Sequence, residues 1–422
     1  MRRTLWTLAM LTIMGWNGPG VTVEAGNWGS WRGPQQNGVS SEQGLPVTWS
    51  TTENVAWKLP LPGPGGATPV VWGDRIFVSS VAGNDLVLLS IDTQGKLLWQ
   101  KRLGSGNRDV RGDEGNSASA SPTTDGQHVW VQFANGLLSC LDYDGNMVWQ
   151  VDLGERYGEL QIQFGLTSSP VLDGDRLYLQ LIHSGGAKVV ALNKLTGAEI
   201  WQVPRPSNAR EECEHSYASP SIYRDSERSY LLTHGADYIV AHDLDTGREL
   251  WRCGGLHPPA GYDLTLRFVS SPAAVPGMII VPSAKLGKLV CLKPDQQGDL
   301  TDRPEAHLWQ FERTPDVPSP LIVPPFVYLC RENGNLIALD AATGKQLYEK
   351  RTHADRHRAS PVYADGKIYL SARDGTISVV EAGPEFKLIA QNNMNESISA
   401  SPAISNGRIY IRTFGHLYAV GK

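Results

Sequence analysis

Apolar residues recur along this chain in short runs, and turn residues separate the runs. The clearest copy of the pattern starts at Ser360 and ends at Lys387. Within it, a Ser-Pro start is followed by β-rich runs at 367–371 and 376–380, and an Asp-Gly turn precedes each run. Runs of this kind bounded by Gly and Asp are typical of strands joined by hairpins. Each copy therefore predicts a small antiparallel sheet.

The Ser-Pro or Thr-Pro start occurs eight times in the sequence. Its prolines are Pro69, Pro122, Pro170, Pro220, Pro272, Pro320, Pro361 and Pro402. Proline lacks a backbone N–H and is tolerated at the first residue of a strand. Repeats of about 40–50 residues with four short strands each are the signature of propeller blades. We predict an all-β fold, an eight-bladed β-propeller of four-stranded antiparallel blades.

A second recurring feature is a turn followed by an aromatic strand. The turn lies within 192–201, 242–251 and 339–348, where Asp or Asn opens it and Gly supplies a positive φ. The strand after it carries a large flat side chain, which suits the space between two twisted sheets. The tryptophans predicted to fill this structural position are Trp57, Trp99, Trp149, Trp201, Trp251 and Trp309.

The last repeat ends at Gly421-Lys422, directly after its third strand. The segment Val55–Leu61 matches the aromatic strand, with Trp57 in the aromatic position. Pairing the two would leave no free sheet edge at the ends of the chain. We therefore expect the N-terminal strand to complete the eighth blade, and the propeller to span residues 55–422.

The lines of the form Ala-Leu-Asp-x-x-Thr-Gly-x-x-Leu-Trp resemble the repeats of the pyrroloquinoline-quinone-like propeller superfamily. The resemblance covers residues 55–422, and the motif at 28–34 is similar to the start of secreted planctomycete-type propellers of this kind. The superfamily includes quinoprotein alcohol dehydrogenases and an eight-bladed outer-membrane assembly lipoprotein without enzymatic activity. The resemblance implies the fold strongly and the function weakly.

Residues 1–25 have the pattern of a secretory signal peptide. Arg2 and Arg3 precede an apolar stretch, and the small-residue pattern ending at Ala25 predicts cleavage there. The apolar stretch is too short to span about 30 Å of hydrocarbon, and no later segment is long enough. No Cys follows it as in a lipoprotein. We expect an N-terminal extension at 26–54, no transmembrane segment in the mature chain, and a periplasmic or secreted monomer.

Charge and cysteine content narrow the choice of partners. The formal net charge is -5, and no Lys/Arg run interleaves with aromatics, so we expect no nucleic-acid partner. Cys140 and Cys291 lie in strand-like runs, where a small buried side chain is expected. Cys213 and Cys253 lie in connecting loops, and spacing alone leaves their pairing open.

The loops that lead into the first strands, here called the mouth loops, are expected to surround one end of the central channel. They carry acidic and basic groups, and long loops on a rigid scaffold are where binding concentrates. The alternative is that these groups are solvated or pair with one another. The candidate ligand-binding residues are Arg111, Glu114, Gln163, Glu214, His215, Arg267, Arg356, His357 and Glu396. No catalytic residue is predicted. No metal ligand is predicted either, because His353 and His357 are four apart in a loop, where this spacing does not place them on one face.

Two functions are compatible with these features. The first is a non-catalytic exported binding or scaffold module of the cell envelope, with a protein or glycan as partner and no cofactor. The alternative is a quinoprotein oxidoreductase that uses pyrroloquinoline quinone with calcium. In the dehydrogenases of the superfamily a disulfide between adjacent cysteines lies against the quinone, whereas the five cysteines here are far apart. A cofactor-free hydrolase or lyase at the mouth is a third, weaker alternative.

Overall fold

The computed structural model describes residues 26–111, 114–257 and 261–421. The predicted signal peptide lies outside the described residues. Those residues form eight sheets, each built from antiparallel strands. The first strands of the sheets lie side by side around a central channel. The predicted eight-bladed propeller is confirmed.

The strands follow the repeat from blade to blade. Before blade one comes β1 (Val55–Pro60). Blade one contains β2 (Val70–Trp72), β3 (Arg75–Ala82), β4 (Asp85–Asp92) and β5 (Leu97–Ser105). Blade two contains β6 (Thr123–Thr124), β7 (His128–Gln132), β8 (Leu137–Asp142) and β9 (Met147–Asp152), followed by the short helix α1 (Leu153–Tyr157). Blade three contains β10 (Val171–Asp173), β11 (Arg176–Leu181), β12 (Lys188–Asn193) and β13 (Glu199–Pro204).

Blades four and five carry the main irregularities. Blade four follows a 3₁₀ turn (Glu211–Glu214) and contains β14 (Ser221–Arg224), β15 (Ser229–Gly235), β16 (Tyr238–His242) and β17 (Glu249–Cys253). Blade five contains β18 (Ala273–Val275), β19 (Met278–Val281), β20 (Leu289–Leu292) and, after an insertion, β22 (His307–Phe311). The insertion holds β21 (Gly298–Asp299) and a 3₁₀ turn (Pro304–Ala306). Strand β21 pairs in parallel with β17, which gives blade four a fifth strand.

The last three blades are regular. Blade six contains β23 (Leu321–Val323), β24 (Phe326–Cys330), β25 (Asn335–Asp340) and β26 (Gln346–Arg351). Blade seven contains β27 (Val362–Ala364), β28 (Lys367–Ser371), β29 (Thr376–Glu381) and β30 (Leu388–Asn393). Blade eight contains β31 (Ala403–Ser405), β32 (Arg408–Arg412) and β33 (His416–Val420).

The ring is closed by the N-terminal strand, as predicted. Strand β1 lies antiparallel to β33 and supplies the fourth strand of blade eight. Lys58 pairs with Tyr418 and Pro60 with His416. The two ends of the described propeller therefore share one sheet.

Most of the predicted tryptophans connect neighbouring blades. Trp57 of β1 donates its indole N–H to the carbonyl of Thr93 in blade one at 2.9 Å. The equivalent bonds run from Trp99 to Tyr143, Trp149 to Lys194, Trp201 to Leu244 and Trp309 to Ala341, at 2.8–3.1 Å. Trp251 has no such bond among the described residues, and the carbonyl of Pro294 at the equivalent turn position accepts the Tyr230 hydroxyl at 2.8 Å instead. Trp251 is nevertheless buried against Tyr230.

Residues 26–54 cross the face of the propeller opposite the mouth loops. Trp28 forms a β-bridge with Val71 of blade one, and Val39 forms one with Tyr363 of blade seven. Arg32 is buried between them and donates to the carbonyl of Pro320 in blade six at 2.6 Å. Because these contacts reach several blades, the segment covers the far end of the channel.

All five cysteines are described, and all five are buried free thiols. The pairing of Cys213 with Cys253, which the sequence left open, is not formed. Cys140 and Cys291 are fully buried in β8 and β20, as expected for small core side chains. Burial raises the pKa of both thiols to about 12, so they stay protonated at neutral pH.

Candidate functional site

The residue before each repeat proline forms a hydrogen-bonded ring around the channel, here called the serine ring. Its members are Thr68, Ser121, Ser169, Ser219, Ser271, Ser319, Ser360 and Ser401. From Thr68 to Ser360, the backbone N–H of each member donates to the hydroxyl of the member in the next blade at 2.8–3.0 Å. The hydroxyl of this residue thus fixes the spacing of the inner strands.

The channel contains a cavity of about 230 Å³. Its wall includes the seven serines of the ring, and Trp31 of the N-terminal segment lines it as well. Since residues 26–54 cover the far end of the channel, Trp31 forms the floor. The cavity therefore opens toward the mouth loops.

An aromatic and arginine cluster lies on one side of this cavity. The ring of Phe164 has the guanidinium of Arg111 at 4.5 Å and that of Arg267 at 4.8 Å from its centroid. The ring of Tyr217 lies 5.7 Å from that of Phe164, and its hydroxyl accepts from the Phe164 N–H. Burial raises the pKa of Tyr217 to about 12, so its phenol is neutral at physiological pH.

A chain of ion pairs crosses the mouth on the other side. Glu114 binds Arg356 at 2.9 Å and Arg358 at 3.0 Å, and Arg358 also binds Glu332 at 2.9 Å. Burial alone would raise the pKa of Glu114, but the two guanidinium groups outweigh burial and lower it. The mouth loop before blade two is thereby tied to the mouth loop before blade seven.

Three of the nine predicted binding residues line the cavity, namely Arg111, Glu114 and Arg267. Arg356 reaches it through its ion pair with Glu114. The cavity lining does not include the other five, which are Gln163, Glu214, His215, His357 and Glu396. Arg267 is held by Glu212 at 2.7 Å. The site thus gathers basic side chains from three mouth loops.

His357 and Glu396 have local partners instead. His357 is fully buried, and burial lowers its pKa to about 4, so it is neutral at physiological pH. Glu396 accepts from the hydroxyls of Thr413 at 2.6 Å and Tyr418 at 3.1 Å. It also lies 3.7 Å from Lys58 of β1. Glu396 therefore stabilises the contact between β1 and the rest of blade eight, where the ring is closed.

Sequence reasoning missed several residues that line the cavity. Phe164 and the serines carry no charge and gave no signal of binding, although the regular Ser-Pro spacing marks the ring. Arg358 lies in a mouth loop, but nothing in the sequence distinguishes it from the candidates Arg356 and His357 beside it. Trp31 lies far from every repeat, and only the path of residues 26–54 shows that it forms the floor.

The family of this chain is shown by its repeats. The family model described as outer membrane protein assembly factor BamB matches residues 3–143, 47–260, 134–302 and 299–383. The chain belongs to this family. No helix among the described residues has the length and apolar character needed to cross a membrane.

Proteins similar to this chain are named as assembly factors and as alcohol dehydrogenases. The chain is 26% identical over 268 residues to outer membrane protein assembly factor BamB of Yersinia pestis, a match that spans 60% of each chain. The structure of BamB from Moraxella catarrhalis is 17% identical with a TM-score of 0.63, covering 87% of this chain and 97% of that one. A quinohemoprotein alcohol dehydrogenase from Comamonas testosteroni is 15% identical with a TM-score of 0.67, covering 94% and 81%. The two structural likenesses show the fold alone.

The cavity fits part of what a quinoprotein site requires. Arg111, Arg267 and Arg358 suit the carboxylates of pyrroloquinoline quinone. Among the described residues of the lining, Glu114 is the one carboxylate and two arginines already hold it, so this lining does not fit a calcium ion. Among the described residues, no group of three or more His, Cys, Asp or Glu is arranged to hold a metal ion. The described lining therefore suits an anion better than a cation.

Proposed function

We propose that this protein is a non-catalytic, exported binding module of the cell envelope, with an envelope protein as its partner. Membership of the BamB family carries the proposal, because the family model matches the chain from residue 3 to residue 383 and the curated relatives are named as assembly factors. The secretory pattern at residues 1–25 supports export. We expect a monomer in solution.

The mouth face is the proposed docking surface. Leu286 is 75% exposed on the loop between β19 and β20, which lies on this face. Its neighbour Lys285 pairs with Asp316 at 3.3 Å and lies 3.9 Å from Glu332. An exposed apolar side chain within a charged rim is the composition expected of a protein-binding patch.

A photo-crosslinking residue at Leu286 tests this proposal in living cells. The expected result is one main adduct with an envelope protein, whose purified form then binds the wild-type chain and loses at least tenfold in affinity with Leu286→Asp. The matched control places the crosslinker at Ile200, which is 40% exposed on an outer strand. Equal adducts at both positions, or binding unaffected by Leu286→Asp, would contradict docking on the mouth face.

The alternative function is a quinone-dependent oxidoreductase. Three arginines around the cavity favour it, and the fold shared with a quinohemoprotein alcohol dehydrogenase leaves it open. Two observations weigh against it: the described residues hold no carboxylate cluster that could bind calcium, and the five cysteines are separate and buried. No reaction step is assigned to any residue of this chain.

A further inference from the structure

The serine ring offers hydroxyl donors to the central cavity. The hydroxyl of each of the seven serines in the ring accepts a backbone N–H, and no described residue accepts the hydrogen of those hydroxyls. A serine hydroxyl carries one donor besides its acceptor lone pairs. The ring therefore presents donors that a ligand in the channel can satisfy.

Arg111 supplies a positive charge that no carboxylate of the described residues pairs with. Within residues 26–111, 114–257 and 261–421, its guanidinium lies over the ring of Phe164, and no Asp or Glu forms an ion pair with it. By contrast, Arg267 is paired with Glu212, and Arg358 with Glu114 and Glu332. A carboxylate ligand would give Arg111 the bidentate partner that a guanidinium prefers.

The size and the apolar surfaces of the cavity limit the ligand further. A volume of about 230 Å³ is below the roughly 300–1,000 Å³ of sites for drug-sized molecules. Trp31, Phe164 and Tyr217 present aromatic surfaces beside the donors. Such surfaces suit the C–H faces of a small ring whose edges carry hydroxyl groups.

We propose that the central cavity binds a small hydroxylated carboxylate, the size of one sugar acid. Arg111 binds the carboxylate, the serine ring donates to the ligand's hydroxyl oxygens, and the aromatic side chains cover its carbon skeleton. This site goes beyond the proposed docking function and does not depend on it, since Leu286 lies outside the cavity lining.

Calorimetric titration of the protein purified from the secreted fraction tests this site. Glucuronate is the probe, with glucose as the neutral analogue and sulfate as the anion without a carbon skeleton. We expect saturable binding of glucuronate, with glucose and sulfate each at least tenfold weaker. Circular dichroism of each variant checks that it is folded.

Three variants distinguish the cavity from other sites. Arg111→Gln should weaken glucuronate binding at least tenfold, while Glu114→Gln should tighten it because it removes the one carboxylate among the described lining residues. Arg102→Gln is the matched control, an exposed arginine that pairs with Asp85 on blade one and should leave binding unchanged. The proposal is overturned by equal binding of glucose, by equal binding of sulfate, or by folded Arg111→Gln that binds like wild type. The absence of glucuronate binding also overturns it, whatever the crosslinking at Leu286 shows.

Discussion

Single residues explain how one blade is fitted to the next. The tryptophan of a fourth strand lies flat on the turn glycine of the following blade, so a Cβ added at Gly95 would lie 2.6 Å from the Trp57 ring. Gly247 and Gly344 stand in the same relation to Trp201 and Trp309. The glycine thus provides both a positive φ and room for the aromatic ring.

Replacing Gly95 by alanine separates these two roles when it is compared with Gly277→Ala. The two glycines have φ values of +89° and +90°, but a Cβ at Gly277 meets nothing within 4 Å. Both variants should lose about 1–2 kcal/mol of unfolding free energy from the strained φ. Gly95→Ala should lose about 1–3 kcal/mol more from overlap with the indole. Urea unfolding measures both, and equal losses would refute the proposed role of the ring.

Two buried histidines predict an acid-sensitive fold. Burial, with a smaller effect of Arg205, lowers the pKa of His234 to about 3, and burial lowers that of His357 to about 4. In the unfolded chain both imidazoles titrate near pH 6.5. The unfolded state then binds more protons, so this stability is present above about pH 6.5 and is lost as pH falls toward 4.

His234→Phe should flatten that pH dependence. The free energy of unfolding of the variant, measured by urea at intervals from pH 7.5 to 4, should fall less steeply than that of the wild type. His234 packs edge-on against Phe268 at 5.1 Å, so the aromatic replacement retains an apolar contact. Parallel curves for the two proteins would show that His234 does not contribute to the acid loss.

At the scale of elements, the closure by β1 connects the chain's two ends. Strand β1 pairs with β33. Glu396, in the loop before blade eight, contacts Lys58 of β1 and Tyr418 of β33 and so stabilises their pairing. Without β1, the edge of β33 and the apolar side chains around Trp57 would be exposed.

Deleting residues 26–61 should therefore abolish cooperative unfolding and cause aggregation. The matched deletion of residues 26–54 retains β1 and should stay folded with a lower midpoint, because it removes the buried Trp28 and Trp49. Thermal unfolding followed by circular dichroism, with light scattering, distinguishes the two. A cooperative transition in the longer deletion would contradict the closure.

Strands and blades were predictable because their signals are local. The Ser-Pro start, the Asp-x-x-Thr-Gly turn and the aromatic strand lie within one repeat, so the sequence contains the whole pattern. The insertion of blade five, which adds a fifth strand to blade four, was not predicted. Local signals thus define a blade but not its exceptions.

At the scale of the whole molecule, the cavity is assembled from parts that are distant in sequence. Ring closure brings Glu114 to Arg356, which lies 242 residues away. The path of residues 26–54 brings Trp31 to the floor. Charge in the mouth loops predicted Arg111, Glu114 and Arg267 as candidate binding residues, and these three line the cavity. For the other candidates the direction of the side chain decides, and His357 faces the core. The cavity could therefore be located only from the structure, whereas the eight-bladed ring could be predicted from the sequence.

The central claim is that this BamB-family propeller binds and does not catalyse. The most direct test is alcohol-dependent reduction of an artificial electron acceptor by the purified protein, supplied with pyrroloquinoline quinone and either Ca²⁺ or a lanthanide ion. The account predicts no rate above that of the quinone and metal alone, for any alcohol. A rate that saturates with alcohol and is lost in Arg267→Gln would contradict it and establish an oxidoreductase.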